Sequence, residues 1–370
     1  MAAVRPELAP PHRHLDVPSL LSRLLVGAGF VPVWLATGLL FVVTAIVSPQ
    51  TLGHDSWSTV LPLMTILAVA GLGEMLVIMT GGIDLSIPGV VTLAANLAVG
   101  VNDGSNSQLG WTVVIILACC GLIGFASGVL VSVVRLNPLI VTLALMQILL
   151  GVSKWYAHGI ANESSVPSSL SGFATDRWLG VTPIFWTGIL ITAFLALFLR
   201  QTVVGRRFQA VGANPRAAWV AGVHVRAYTV FAYAGAGVLY GAAGLLLAGF
   251  IQFPTLDLGN PYLLGPIAAV VIGGASLAGG IASVSSTWAA AFALTLLSQM
   301  LQVLRLSTAW QLIVFGLAIA GGLVISGDRI VGVVGGFLHQ PAVRARLGWA
   351  ESGEAQEAHD RREVHGEGTA

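Results

Sequence analysis

The sequence predicts an all-α, polytopic integral membrane protein, and three observations carry that prediction. Of 370 residues, 56% are hydrophobic and only 9% are charged, whereas a water-soluble domain carries about 25% charged residues. Apolar runs of about twenty residues, the length that spans a bilayer as a helix, recur along the chain. The basic residues fall on alternating connections between those runs, as the positive-inside rule requires.

About ten spans are expected: Phe30–Val47, Ser58–Met79, Ile87–Val101, Trp111–Val134, Pro138–Tyr156, Val181–Leu199, Tyr228–Phe250, Pro261–Ala282, Val284–Leu304 and Thr308–Ser326. The third is short, which suits a broken or re-entrant helix. With Arg5, Arg13 and Arg23 inside, ten crossings also place Arg135, the Arg200–Arg226 stretch and the segment from Arg329 onward inside. Only Lys154, Arg177 and Arg305 fall at or near the outer side. The expected layout is a cytoplasmic N-terminal segment (1–27), a transmembrane domain (28–328) with a cytoplasmic loop at 200–227, and a cytoplasmic tail (329–370). Residues 351–370 hold six acids and two arginines without an apolar stripe, a solvated and disordered composition. The proline-bearing first 20 residues do not read as a cleavable signal.

Two small-xxx-small pairs, Gly124 with Gly128 and Gly237 with Gly241, predict close helix packing. The neighbouring Cys119 and Cys120 read as small apolar side chains in a span. No metal constellation is evident among the eight histidines.

The composition also excludes functions. The single lysine, Lys154, follows Ser153 and precedes Trp155. A Walker A loop needs a glycine-rich turn ending in Gly-Lys-Ser/Thr, so the chain is not a P-loop ATPase. No nucleophile–base set is present, so it is not expected to be an enzyme, and no cofactor or nucleic-acid partner is expected. The longest outer segment, about 157–180, is too short for a receptor domain. If the protein pumps, the ATP-hydrolysing and solute-capturing units are other chains.

The segment "TVVGRRFQAVGANPRAAWVAGVHVRAY" (202–228) carries four arginines, and no acid occurs between Asp176 and Asp257. Asn214 followed by Pro215 is a helix start, since Asn accepts from the first free amides and proline fits the first helical position. Gly222 is a stop. The helix between them, Pro215–Ala221, presents Ala217, Ala218, Trp219 and Val220 in a loop that faces water. Two readings stand: an interfacial loop with Trp219 in the headgroups, or a coupling helix that inserts into a partner ATPase.

Glu74 and Asp84 lie in or beside apolar spans. An ionisable group at membrane depth costs at least about 2.5 kcal/mol, so such groups mark candidate functional sites. Gly81 and Gly82 break the helix before Asp84, and Asp84 or Ser86 can cap the next one. Non-helical backbone at membrane depth must face protein or a cavity, which puts this block near a translocation route. Asn96, Gln147, Gln299 and Gln302 could line a pathway or hold helices together. The pairs Gly273–Gly274 and Gly279–Gly280 allow a hinge or close packing.

Three blocks together resemble permeases of ribose-, xylose- and galactose-type ABC importers. "GRRFQAVGANPRAAWVAGV" resembles the family segment G-R-x-x-x-A-x-G-x-N-x-x-A-A-x-x-x-G-I/V. "GGIDLS" (81–86) and "IAAVVIGGASLAGG" (267–280) resemble its early and late signatures. They occur in family order within about 59–326. Departures fall at Pro88, at Leu264-Gly265-Pro266 and at Ile281-Ala282-Ser283. The resemblance implies that Gly205, Arg206, Arg207, Gly212, Asn214, Pro215, Arg216, Ala217, Ala218, Trp219 and Gly222 contact an ATPase subunit that binds ATP and Mg. It also implies a second permease copy, identical or paralogous, and an extracytoplasmic sugar-binding protein. The solute class would be a pentose, a hexose or a related polyol, with a furanose-like signalling molecule as a competitor. An ion-coupled secondary transporter using Glu74 and Asp84, or a membrane-embedded enzyme or scaffold, are the other readings.

Overall fold

The computed structural model describes residues 31–101, 105–157 and 165–326. The expected N-terminal segment and tail lie outside these residues. Thirteen α-helices occur among them: α1 (Val31–Val47), α2 (His54–Met79), α3 (Ile87–Gly100), α4 (Leu109–Ser132), α5 (Pro138–Ala157), α6 (Ser168–Thr175), α7 (Pro183–Gln201), α8 (Val203–Ala213), α9 (Pro215–Val220), α10 (Val225–Ile251), α11 (Gly265–Ile272), α12 (Val284–Val303) and α13 (Thr308–Ser326). No strand is present among the described residues; one isolated bridge joins Trp178 and Val181. Helices satisfy their own backbone groups, which is what a hydrocarbon surrounding demands.

Among the described residues six helices are long and apolar enough to cross a membrane: those covering Asp55–Met79, Asn106–Ser132, Pro138–Ala157, Pro183–Gln201, Val225–Ile251 and Val284–Val303. Shorter apolar helices occupy Val33–Val47, Ile87–Gly100, Asn260–Ile272 and Leu312–Gly321. α2 and α10 form the middle of the bundle. α10 lies against α4, α2 and α3, and α2 also meets α12, α11 and α7. The faces of α4, α5 and α7 carry exposed Leu122, Ile140, Leu190 and Phe194. Apolar faces this broad need lipid or another chain over them.

Each of the two small-residue pairs packs on the partner helix. A Cβ on Gly124 would collide with the Tyr233 carbonyl of α10. One on Gly237 would collide with the Cys120 carbonyl of α4. Gly128 faces Val230, and Gly241 faces the Cys120 side chain. The absent side chains bring the two backbones together along two turns, the geometry that drives helix pairing in lipid. Cys120 is buried in this crossing and both cysteines are free.

The structure departs from the sequence reading in four places. The run at 261–282 is not one crossing helix: α11 has 8 residues, about 12 Å of length, and ends at Gly273. Its last turn closes by Gly274 N–H donating to the Val271 carbonyl (2.9 Å) and Ala275 N–H to the Val270 carbonyl (3.1 Å), with Gly274 at φ 86°. Hydropathy stays high across this stretch because Ala, Leu and Gly continue, but glycines at 273, 274, 279 and 280 let the chain turn back on itself. The second departure is α8, in a stretch read as loop. The third is α6, whose Leu170 and Ala174 pack on Gly249. The fourth is the end of α9, which stops at Val220 with Ala221 as its cap residue. α3 is short, as expected, at 14 residues, about 21 Å against a hydrocarbon core of about 30 Å. Twelve of those residues are buried, so protein and not lipid surrounds it.

Candidate functional site

The basic segment folds into two short helices set end to end. Thr202 Oγ1 accepts from Gly205 N–H (2.9 Å) and starts α8. The helix is amphipathic: Gly205, Phe208, Val211 and Gly212 are buried, whereas Arg206 and Arg207 are exposed. Phe208 meets Tyr228 of α10 edge-on, with ring centroids 6.2 Å apart. Asn214 then leaves the helical conformation, and its Oδ1 accepts from Ala217 N–H (3.0 Å). This is the cap that Asn214-Pro215 predicts. At the far end Gly222 sits at φ 80°, while Val223 N–H donates to the Ala218 carbonyl (3.0 Å), a left-handed stop. Ala218 is the one buried side chain of α9. Trp219 and Val220 are 72% and 79% exposed, and Arg216 and Arg226 are exposed beside them.

The helix break after α2 carries the two acids. Gly81, at φ 82°, ends α2, and Gly82 N–H donates back to the Val77 carbonyl (3.2 Å). Glu74 and Asp84 are buried. Glu74 Oε2 accepts from the Tyr240 hydroxyl (2.9 Å) and Oε1 accepts from Asp84 N–H (3.2 Å). Asp84 Oδ1 accepts from Ser86 N–H (2.8 Å) and Ser86 Oγ (2.6 Å). Leu85 N–H donates to Thr142 Oγ1 of α5 (3.0 Å). Asp84 therefore holds the turn but does not cap α3: Ser86 is the residue at the cap position, and its side chain makes no cap hydrogen bond. The Tyr233 hydroxyl packs over Gly82 and has no hydrogen-bond partner among the described residues.

Sequence reasoning missed Tyr233, Tyr240 and Thr142. A signal existed for the tyrosines. They stand seven residues apart in an apolar run, two of only five in the chain, and a buried phenol seeks a polar partner.

The third glycine-rich stretch reaches the same end of the bundle. Ser276 N–H donates to the Ile281 carbonyl (3.0 Å), and Gly279 N–H to the Ser276 carbonyl (2.9 Å). The "ASLAGG" residues thus form a compact turn. Gly280 N–H donates to the Met79 carbonyl (3.0 Å), one of the last carbonyls of α2, which the helix itself leaves unsatisfied. Gly212 packs its Cα face on that same carbonyl and on Gly280. The three blocks, which lie at 81–86, 205–223 and 267–280 in the sequence, meet here.

The sequence-predicted amides do not gather in one place. Asn96 donates to the Thr92 carbonyl of its own helix (3.0 Å). Gln147 and Gln302 are exposed, and Gln299 is half-buried. Gly273 packs against the start of α12 at Ser286 and Thr287.

Residues 56–321 match the family described as branched-chain amino acid transport system / permease component. The chain is similar to the autoinducer 2 import system permease protein LsrC of Enterobacter sp. (strain 638), at 32% identity over 294 residues, covering 80% of this chain and 85% of the relative. It is 30% identical over 294 residues to the protein of the same name from Escherichia coli (strain K12 / DH10B), covering 79% and 85%. The one from Yersinia pseudotuberculosis serotype O:1b (strain IP 31758) is 29% identical over 288 residues, covering 78% and 82%. No solved structure matches.

Proposed function

Because the chain belongs to the branched-chain amino acid transport system / permease component family, we propose that it is the membrane-spanning subunit of an ABC importer. It sits in the bacterial cytoplasmic membrane with both ends cytoplasmic. The six helices long and apolar enough to cross, with four shorter apolar ones beside them, support a polytopic layout of about ten membrane segments. Two copies, or this chain and a paralogue, enclose the pathway. A separate ATPase subunit docks on the loop at 200–227, and an extracytoplasmic binding protein delivers the solute.

The observation that carries this reading is the capped α8–α9 segment. It is anchored to α10 by Phe208 against Tyr228 and has Ala218 buried, yet presents Trp219 and Val220 outward with arginines on either side. Apolar side chains on a rigid, basic, water-facing rod suit insertion into a groove of a partner protein. The solute is a small sugar or polyol, or autoinducer 2, which the relatives' names specify.

Uptake in cells tests the proposal. Radiolabelled D-ribose and autoinducer 2 serve as probes, with the ATPase gene deleted or the ion gradients collapsed at constant ATP. Uptake is expected to vanish in the first case and persist in the second. Concentrative uptake that survives deletion and follows the ion gradient would instead establish a secondary carrier built on Glu74 and Asp84.

A further inference from the structure

We propose that Gly212, the Met79 carbonyl and Gly280 form a rigid joint, which makes the α8–α9 segment and the helix break holding Asp84 move as one body. The inference rests on the docking of an ATPase at α8–α9 and says what that docking moves.

The joint has no room for side chains. A Cβ on Gly212 would overlap the Met79 carbonyl oxygen and press on Gly280 N. A Cβ on Gly280 would lie 2.7 Å from Ala213 Cα, and one on Gly279 would lie 2.9 Å from the Gly212 carbonyl oxygen and 3.2 Å from Gly81 N. Gly279 and Gly280 both hold positive φ, 96° and 83°, where a side chain strains the backbone. Backbone thus rests directly on backbone from three segments, with the Gly280–Met79 hydrogen bond across the contact. Packed backbone transmits displacement without the slack of rotamers.

Each arm of the joint leads somewhere specific. Asn214 starts α9 two residues beyond Gly212. Met79 ends α2 one turn and a half beyond Glu74, which holds the amide of Asp84. The glycine turn runs through Ser283, whose Oγ accepts from Ser286 N–H (3.4 Å) and starts α12. A push on α9 therefore reaches α2, the break before α3, and α12 through main chain. Gly212 and Gly280 are positioning residues for transport and need never touch solute.

The experiment uses the full-length chain in nanodiscs with Cys119→Ala and Cys120→Ala, spin-labelled at Gln209→Cys and Ala278→Cys, both exposed positions flanking the joint. Distances are measured on the chain alone and with its co-expressed ATPase, before and after trapping with ATP and vanadate. One narrow distance, unchanged by trapping, is expected. Gly212→Ala should broaden it roughly twofold, because overpacked backbone must shift. Gly280→Ala pushes on Ala213 from the other side and should do the same. It decides the matter if the first variant does not accumulate. A substitution that only destabilised the fold would lower Tm and leave the distance narrow, which overturns the joint. So does a parent distribution as broad as the variants', or a distance that changes on trapping. Failure of the ATPase to co-purify with the parent chain overturns the importer reading instead, and the chain-alone comparison still decides the joint.

Discussion

The hydroxyl of Tyr240 donates to Oε2 of Glu74 at 2.9 Å, linking α10 to α2 across 166 residues of sequence. Both groups are fully buried. The other Glu74 oxygen accepts the Asp84 amide, so one side chain ties the two middle helices to the break that follows. A hydrogen bond of this kind contributes about 0.5–1.5 kcal/mol net, and removing one partner leaves the other buried and unsatisfied at a cost of about 1–3 kcal/mol. Tyr240→Phe is therefore expected to destabilise the detergent-solubilised chain by about 1–3 kcal/mol, read as a lower thermal midpoint. Glu74→Gln keeps an acceptor for either donor and should lose less than Glu74→Ala.

Asp84 separates structure from charge. Its Oδ1 accepts two hydrogen bonds from Ser86 and shapes the turn into α3. Asp84→Asn retains an acceptor oxygen in the same place, whereas Asp84→Ala removes it. The alanine variant is expected to lose about 1–3 kcal/mol and the asparagine variant well under half of that. Uptake by the asparagine variant should stay near the parent rate if Asp84 only holds the turn. A loss of uptake with normal stability would assign its charge to the pathway or to a coupling ion.

The six long apolar helices were legible because lipid imposes length and composition on any helix that crosses it. Gly124, Gly128, Gly237 and Gly241 were legible as packing residues, since only small side chains allow that approach. Asn214 and Pro215 announced a helix start through local backbone chemistry alone. The break inside 261–282 was not legible to hydropathy, which sums apolar character and ignores chain direction. Its glycine pairs were visible, but whether they turn the chain or pack it depends on Met79 and Gly212, far away in sequence. α8 was hidden by its arginines, although Gly205, Phe208 and Gly212 recur on one helical face. The Glu74–Tyr240 pair needed the register of α2 against α10, which no local pattern encodes.

Glycine packing gives a second stability test. At Gly128 a methyl group would meet Val230 Cα at 2.7 Å and the Val230 carbonyl at 2.9 Å, both main-chain atoms. At Gly151 nothing lies within 4 Å. Overpacking costs about 1–3 kcal/mol where backbone must move, while glycine to alanine in an open helical position gains up to about 1 kcal/mol. Gly128→Ala is expected to lower the thermal midpoint and Gly151→Ala to leave it unchanged or raise it. A neutral Gly128→Ala would show that α4 and α10 are not held at this spacing.

Trp219 gives the sharpest test of the docking surface, because its exposure removes it from the stability of the chain. At 72% exposed the ring makes little internal packing, so Trp219→Ala should shift stability by less than about 0.5 kcal/mol. Aromatic anchors seated in a partner groove cost about 2 kcal/mol or more when truncated, a loss of roughly thirtyfold in affinity. The variant is therefore expected to reach the membrane at the parent level and keep its thermal midpoint. Co-purification of the ATPase should fall, and uptake with it. Arg216→Glu should weaken the same association with a stronger dependence on salt, since an exposed charge acts through a screened field. Full ATPase association by both variants would move the docking surface off α9 and return Trp219 to the membrane interface.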